Sequence, residues 1–204
     1  MTATNLRSML RDPSIELATI SSHLDSMSHS ARLAEVCFLG KKEQARLFDI
    51  ARGQRPITID HFVPRATAPM REVVHHGKNT LPVFTRFAKV FCRPETSGGG
   101  ASGRELWGYN RTNGFLGTVV GPGYYVAYDH GQGEVLVDYL RIPAAHPAGW
   151  PEILPNSARL SRFVYNGTQD VLRGVSSHVT IGRARRGEQW MNAWFVLCRE
   201  DAAD

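Results

Sequence analysis

The first 65 residues carry apolar side chains at the spacing of amphipathic helices. Asp12 and Pro13 have the form of a helix cap followed by a first helical residue, so we expect a helix to begin at Pro13. A second helix is predicted to end at Gly40, and a third to span residues 41–52, because apolar positions recur there every three or four residues. We therefore predict a helical N-terminal unit, a hairpin or three helices, over residues 1–65.

From residue 66 to residue 204 the apolar positions alternate as they do in strands, and glycines and prolines separate the segments. The pattern predicts seven strands, at residues 71–77, 84–92, 104–111, 118–129, 134–142, 163–182 and 188–199. Glycine-containing connections at 130–133 and 183–187 are typical of β-hairpins. We therefore predict an α+β fold class, in which an antiparallel β-meander over residues 66–204 follows the helical unit.

The last predicted strand carries large apolar side chains on both faces, with Trp190 and Trp194 on one and Phe195 and Leu197 on the other. A strand of this kind is covered on both sides, and the N-terminal helices are the natural cover for its outer face. The meander predicts a small barrel or a strongly curved sheet, and a small barrel can hold one ligand in its interior. A two-layer sheet with helices on one face is the alternative.

The composition is that of a globular protein, with 42% hydrophobic and 21% charged residues, which excludes disordered and fibrous classes. The net charge of +5 is spread along the chain without a basic tail, a distribution that disfavours nucleic-acid binding. No apolar stretch approaches the roughly 18 residues that a membrane span requires, and no signal peptide is visible. We expect a cytoplasmic protein that does not associate with membranes.

The three cysteines, Cys37, Cys92 and Cys198, are far apart and lie among apolar residues. This pattern predicts buried free thiols in a reducing compartment and indicates neither a disulfide framework nor a metal site. The chain also lacks the motifs of nucleotide-binding loops, zinc proteases and serine hydrolases. We therefore predict no cofactor and no metal.

Four titratable residues are candidate catalytic groups. His75 and His76 are neighbours on a strand, so their side chains point to opposite faces, and the inward one could act as a general acid or base. Asp129 lies at the mouth of a predicted hairpin, where ligand contacts often accumulate. His178 shares a strand face with Ser176, and this face would be a polar stripe in a pocket if it pointed inward. If the face pointed outward, the stripe would be ordinary strand surface.

Aromatic side chains on the strands are candidate walls of a ligand pocket, although aromatic residues on strands are also ordinary core residues. Together with Ser176, the predicted binding residues are Trp107, Tyr109, Tyr124, Tyr128, Trp190 and Trp194.

The leading hypothesis is a barrel-like domain that binds a small apolar or aromatic molecule in a mostly apolar pocket. The alternative is a cofactor-free enzyme of the cyclase, isomerase or hydratase type, which would use the candidate histidines and aspartate as acid–base groups. An enzyme needs at least two titratable side chains that converge in one pocket, whereas a carrier needs only the apolar wall. A third hypothesis is an interaction module that binds a partner protein through the N-terminal helices.

Overall fold

The computed structural model describes residues 5–82, 85–95, 104–111, 123–153 and 167–201. Five helices occur in these residues: α1 (Leu6–Met9), α2 (Leu17–Asp25), α3 (His29–Phe38), α4 (Lys41–Ile50) and α5 (Ile59–Phe62). The same ranges contain eight strands: β1 (Val73–Asn79), β2 (Arg86–Cys92), β3 (Glu105–Arg111), β4 (Tyr124–His130), β5 (Glu134–Asp138), β6 (Gln169–Gly174), β7 (Val179–Arg186) and β8 (Gln189–Arg199). Residue 84 and residues 118–122 and 163–166, where three of the predicted strands begin, lie outside the described residues.

The eight strands form one closed barrel. Each strand is antiparallel to its sequence neighbours, and β1 also pairs with β8, with His75 opposite Arg199 and Asn79 opposite Phe195. The predicted α+β class and the barrel are confirmed, and the alternative of a two-layer sheet is wrong.

The predicted strand over 163–182 is two strands in its described part, because the chain reverses direction after Gly174. At the reversal the backbone N–H groups of Val175 and Ser176 both donate to the carbonyl oxygen of Val179, at 2.9 and 3.1 Å. The described residues therefore contain eight strands instead of the seven that the sequence predicts. An even number allows the first and last strands of a meander to meet antiparallel, which is how β1 and β8 close the barrel.

The first predicted helix begins later than expected. The Asp12 carboxylate accepts hydrogen bonds from the backbone N–H and the hydroxyl of Ser14, at 2.9 and 2.7 Å, and these bonds form a turn around Pro13. Helix α2 consequently begins at Leu17. The short helix α1 was not predicted; Asn5 caps it by accepting a bond from Ser8.

Helices α1–α4 cover the outer face of β7 and β8. Val196 and Cys198 of β8 point outward into an apolar cluster that includes Val36 of α3 and Leu47 of α4, and all four are buried. This packing confirms that the N-terminal helices cover the last strand, whose other face points into the barrel through Phe195 and Leu197.

Gly108 and Gly182 leave space for the aromatic rings of Tyr125 and Phe195 inside the barrel. A Cβ atom on Gly108 would lie 2.4 Å from the Tyr125 ring, and one on Gly182 would lie 2.2 Å from the Phe195 ring. Both distances are shorter than van der Waals contact, so the two rings can lie across neighbouring strands only because these positions lack side chains.

Candidate functional site

Helix α5 closes one end of the barrel. The Phe62 ring of α5 lies inside the barrel, 5.0 Å from the Phe91 ring and 5.3 Å from the His75 ring between centroids. The Ile59 N–H donates to the Asp129 carboxylate at 2.7 Å, which ties the first turn of α5 to the end of β4. This half of the barrel interior is filled by the chain's own side chains.

His75 is the inward member of the predicted histidine pair and is fully buried. Burial lowers the pKa of His75 well below its ordinary value, so the ring is neutral at pH 7. Its Nε2 lies 2.9 Å from the carbonyl oxygen of Phe62, to which a neutral ring donates through this nitrogen. The buried Nδ1 then has no hydrogen-bond partner among the residues that the structure describes.

A cluster of polar side chains lies inside the barrel toward the opposite end, and we call it the Lys89 cluster: Lys89, Asn110, Tyr139 and Asp170. The Lys89 amine lies 3.1 Å from Asn110 Oδ1 and 3.1 Å from Asp170 Oδ2, and it also donates to the Tyr139 hydroxyl. The Tyr139 hydroxyl accepts from Asn110 Nδ2 at 2.9 Å and donates to Asp170 at 3.2 Å. All four residues are buried.

Strand topology places the Lys89 cluster near one end of the barrel. Asn110 is next to the last residue of β3, Tyr139 directly follows β5, and Asp170 is the second residue of β6. In an antiparallel barrel the ends of β3 and β5 and the start of β6 lie at the same end. The cluster is therefore at the end away from α5.

Aromatic rings surround the Lys89 amine. Its nitrogen lies 4.8 Å from the ring centroid of Tyr125, 4.9 Å from that of Tyr139 and 5.1 Å from that of Phe195. Cations are attracted to aromatic faces at such distances, most strongly where water is excluded. The amine thus combines three oxygen acceptors with an aromatic wall.

Burial lowers the pKa of Lys89, and the neighbouring Asp170 carboxylate opposes this shift without cancelling it. Perturbed lysines of this type act as acids, bases or nucleophiles when a substrate reaches them. With Tyr139 and Asp170 in contact, the cluster can release a proton from the Lys89 nitrogen and take it back.

The other three candidate catalytic residues lie apart from the Lys89 cluster. His76 points outward, with Nε2 2.6 Å from the Glu200 carboxylate. His178 lies in the turn before β7, with Nδ1 3.1 Å from Asp201 Oδ1, and burial lowers its pKa. Asp129 binds the backbone of α5 at the closed end. The structure brings none of these residues together with His75 in one pocket, and their part in catalysis stays a prediction.

The predicted aromatic binding residues lie on the outer face of the barrel. Tyr109 and Tyr124 pack together with Trp150, with ring centroids 4.8 Å apart for Tyr109 and Trp150. The Tyr128 hydroxyl donates a hydrogen bond to Asp138 Oδ2 at 3.2 Å. Trp107 packs against the group formed by Tyr109, Tyr124 and Trp150.

Two further predicted binding residues, Trp190 and Trp194, face the N-terminal helices. The Trp190 ring contacts Phe48 of α4 at 5.8 Å, and Trp194 packs on the apolar cluster beneath the helices. Ser176 is buried in the turn between β6 and β7. A ligand role for the predicted binding residues stays a prediction.

Sequence reasoning missed the Lys89 cluster, although β2 contained a signal. Alternation along Arg86–Cys92 places Lys89 on the same face as Phe87 and Phe91, which is the inward face. A lysine between two aromatic residues on a core-facing side is a buried charge that needs a partner. Asp170 lies 81 positions later in the chain, so only the closed barrel reveals it as that partner.

Neither a metal-binding group of side chains nor a membrane-spanning helix occurs within the described ranges. No group of three or more histidine, cysteine, aspartate or glutamate side chains is placed there to hold a metal ion. None of the helices found there is long and apolar enough to cross a bilayer. No protein-family model, curated protein or solved structure matches this chain.

Proposed function

We propose that the barrel binds a small apolar or aromatic molecule, whose one polar group contacts the Lys89 cluster. The observation that carries this proposal is the convergence of four buried polar side chains on an otherwise aromatic wall. Small-molecule sites have this composition, a largely apolar lining with a few placed polar groups.

The charges of the cluster indicate the polar group of the ligand. Lys89 and Asp170 neutralise each other, so a ligand carboxylate would gain little attraction and would face the Asp170 carboxylate. A neutral hydrogen-bonding group avoids this repulsion. We therefore propose a ligand with a carbonyl or phenol group, which takes the place of one of the neutral oxygen acceptors of the Lys89 amine.

Stability alone gives no reason for an ion pair at this position. Replacing a buried ion pair by well-packed apolar residues of similar volume is often neutral or favourable for the free energy of unfolding. The interior of this barrel is otherwise rich in such residues. We propose that the ion pair is present because it takes part in recognising the ligand.

Binding is tested with prodan, a neutral naphthyl ketone whose fluorescence responds to its surroundings. We expect the wild-type protein to bind prodan. The double variant Lys89→Met/Asp170→Asn removes both charges and should bind it about 10- to 100-fold more weakly, because a hydrogen bond to a charged group is worth about this much. Lys42→Met, which removes an exposed lysine, is the control. Equal affinity of the wild type and the double variant would contradict the proposal.

An acid–base enzyme is the second candidate function, favoured by the direct contacts among Lys89, Tyr139 and Asp170. A base and a hydrogen-bond donor on one ketone would accelerate proton exchange at the carbon beside its carbonyl. The test is deuterium incorporation into prodan in heavy water, followed by mass spectrometry. Exchange above the buffer rate that the double variant Lys89→Met/Asp170→Asn abolishes supports an enzyme, and binding without exchange supports a carrier.

We also propose a cytoplasmic location. The support is chemical: Cys37, Cys92 and Cys198 are all buried with free thiols, a state that a reducing compartment preserves. Fractionation of cells that produce the tagged protein tests this location.

A further inference from the structure

A cleft of about 390 Å³ lies at the end of the barrel that α5 closes, away from the Lys89 cluster. Its volume is within the range of small-molecule sites, about 300–1,000 Å³. Its charged lining consists of three arginines, Arg65, Arg93 and Arg104, and two aspartates, Asp60 and Asp129. The cleft therefore carries one excess positive charge.

Both carboxylates of the cleft are already engaged. Asp60 is shared by two guanidinium groups, with 2.5 Å from Oδ2 to Arg65 Nε and 2.5 Å from Oδ1 to Arg93 Nη2. Burial acts to raise the pKa of Asp60, but the two arginines outweigh it and lower that pKa. Asp129 accepts the Ile59 N–H. One carboxylate between two guanidinium groups leaves positive charge that no carboxylate of the cleft neutralises.

Arg93 and Arg104 differ in how firmly they are held. Arg93 is mostly buried, and its Nη2 also donates to the Val63 carbonyl oxygen at 2.5 Å, while its buried Nε has no hydrogen-bond partner in the described ranges. Arg104 makes neither an ion pair nor a hydrogen bond with any residue that the structure describes. A fixed guanidinium and an unpaired one that line the same cleft are suited to oxyanions, which accept charge-assisted bonds from arginine.

We propose that this cleft binds a small molecule through a carboxylate or phosphate group that contacts Arg93 and Arg104. The bound oxyanion neutralises the positive charge of the cleft that Asp60 and Asp129 do not neutralise. This site is separate from the interior of the barrel, so it adds a charged ligand to the neutral one proposed for the Lys89 cluster.

Calorimetric titration of the full chain with sodium phosphate, sodium pyrophosphate and sodium citrate tests the proposal, against sodium chloride at equal ionic strength. We expect at least one oxyanion to bind and to raise the unfolding temperature, because it binds only the folded protein. Binding of the phosphates alone identifies a phosphate compound, and binding of citrate alone identifies a carboxylate compound. No binding by any of the three up to about 10 mM would overturn the proposal.

Arg104→Gln is the decisive variant, because this side chain has no described partner whose loss would disturb folding. We expect its dissociation constant for the oxyanion to rise about tenfold or more. The matched control is Arg11→Gln, which removes the same charge from an exposed arginine elsewhere. If both variants weaken binding equally, the attraction comes from the net charge of the protein, and the cleft is not the site.

Discussion

Removing Lys89 alone should destabilise the protein severely, and removing its partner as well should restore most of the loss. In Lys89→Met the Asp170 carboxylate stays buried without its cation, since the side chains of Lys89 and Asp170 are 1% and 9% exposed. Tyr139 still donates to Asp170 at 3.2 Å, but a neutral donor does not replace the charge.

The expected cost follows from the burial of the pair. Breaking one partner of a buried ion pair costs about 3–5 kcal/mol in the free energy of unfolding. For a chain of this length each kcal/mol corresponds to about 2–4 °C, so the unfolding temperature of Lys89→Met should fall by about 6–20 °C. In Lys89→Met/Asp170→Asn neither charge of the pair is left without its partner, and we expect stability within about 2 kcal/mol of the wild type.

The assay is urea unfolding at pH 7, followed by circular dichroism and tryptophan fluorescence so that coincident transitions establish two-state behaviour. Asp170→Asn completes the double-mutant cycle and gives the coupling energy of the pair. A cost below about 1 kcal/mol for Lys89→Met, the scale of an exposed ion pair, would contradict this prediction. So would a double variant that is no more stable than Lys89→Met.

Two further predictions concern the buried histidines and the interior packing. Burial lowers the pKa of His61 to about 3 and that of His75 well below 6.5, so below pH 6.5 the unfolded chain binds protons that the folded chain does not. Stability should therefore fall by about 1.4 kcal/mol per pH unit between pH 6 and 4 because of His61, and His75 adds a loss in the same direction. A flat profile of urea midpoints would contradict this. Gly182→Ala should cost about 1–3 kcal/mol, because its Cβ would lie 2.2 Å from the Phe195 ring, whereas Gly131→Ala, with nothing within 4 Å, should be nearly neutral in the same assay.

The helical part and the strand-forming part of the chain were predictable from the sequence, because the repeat of apolar positions is a local property of the chain. The spacing before Gly40 and after Lys41 was sufficient to place α3 and α4, and the apolar character of both faces of β8 predicted its cover of helices. Hydrogen bonds from side chains to the nearby backbone were not predicted. Asp12 accepts one that closes a turn where a helix cap was expected, and α2 therefore begins only at Leu17.

Tertiary structure alone decided which face of each strand is the inside. Alternation shows that Trp107 and Tyr109 share one face of β3, but closure between β1 and β8 turns that face outward and turns Asn110 inward. Closure also brings Asp170 next to Lys89. The two residues are far apart in the sequence, so no local pattern predicts that they form a pair. A buried charge is tolerated only beside its partner, and that partner is identified only when the barrel closes.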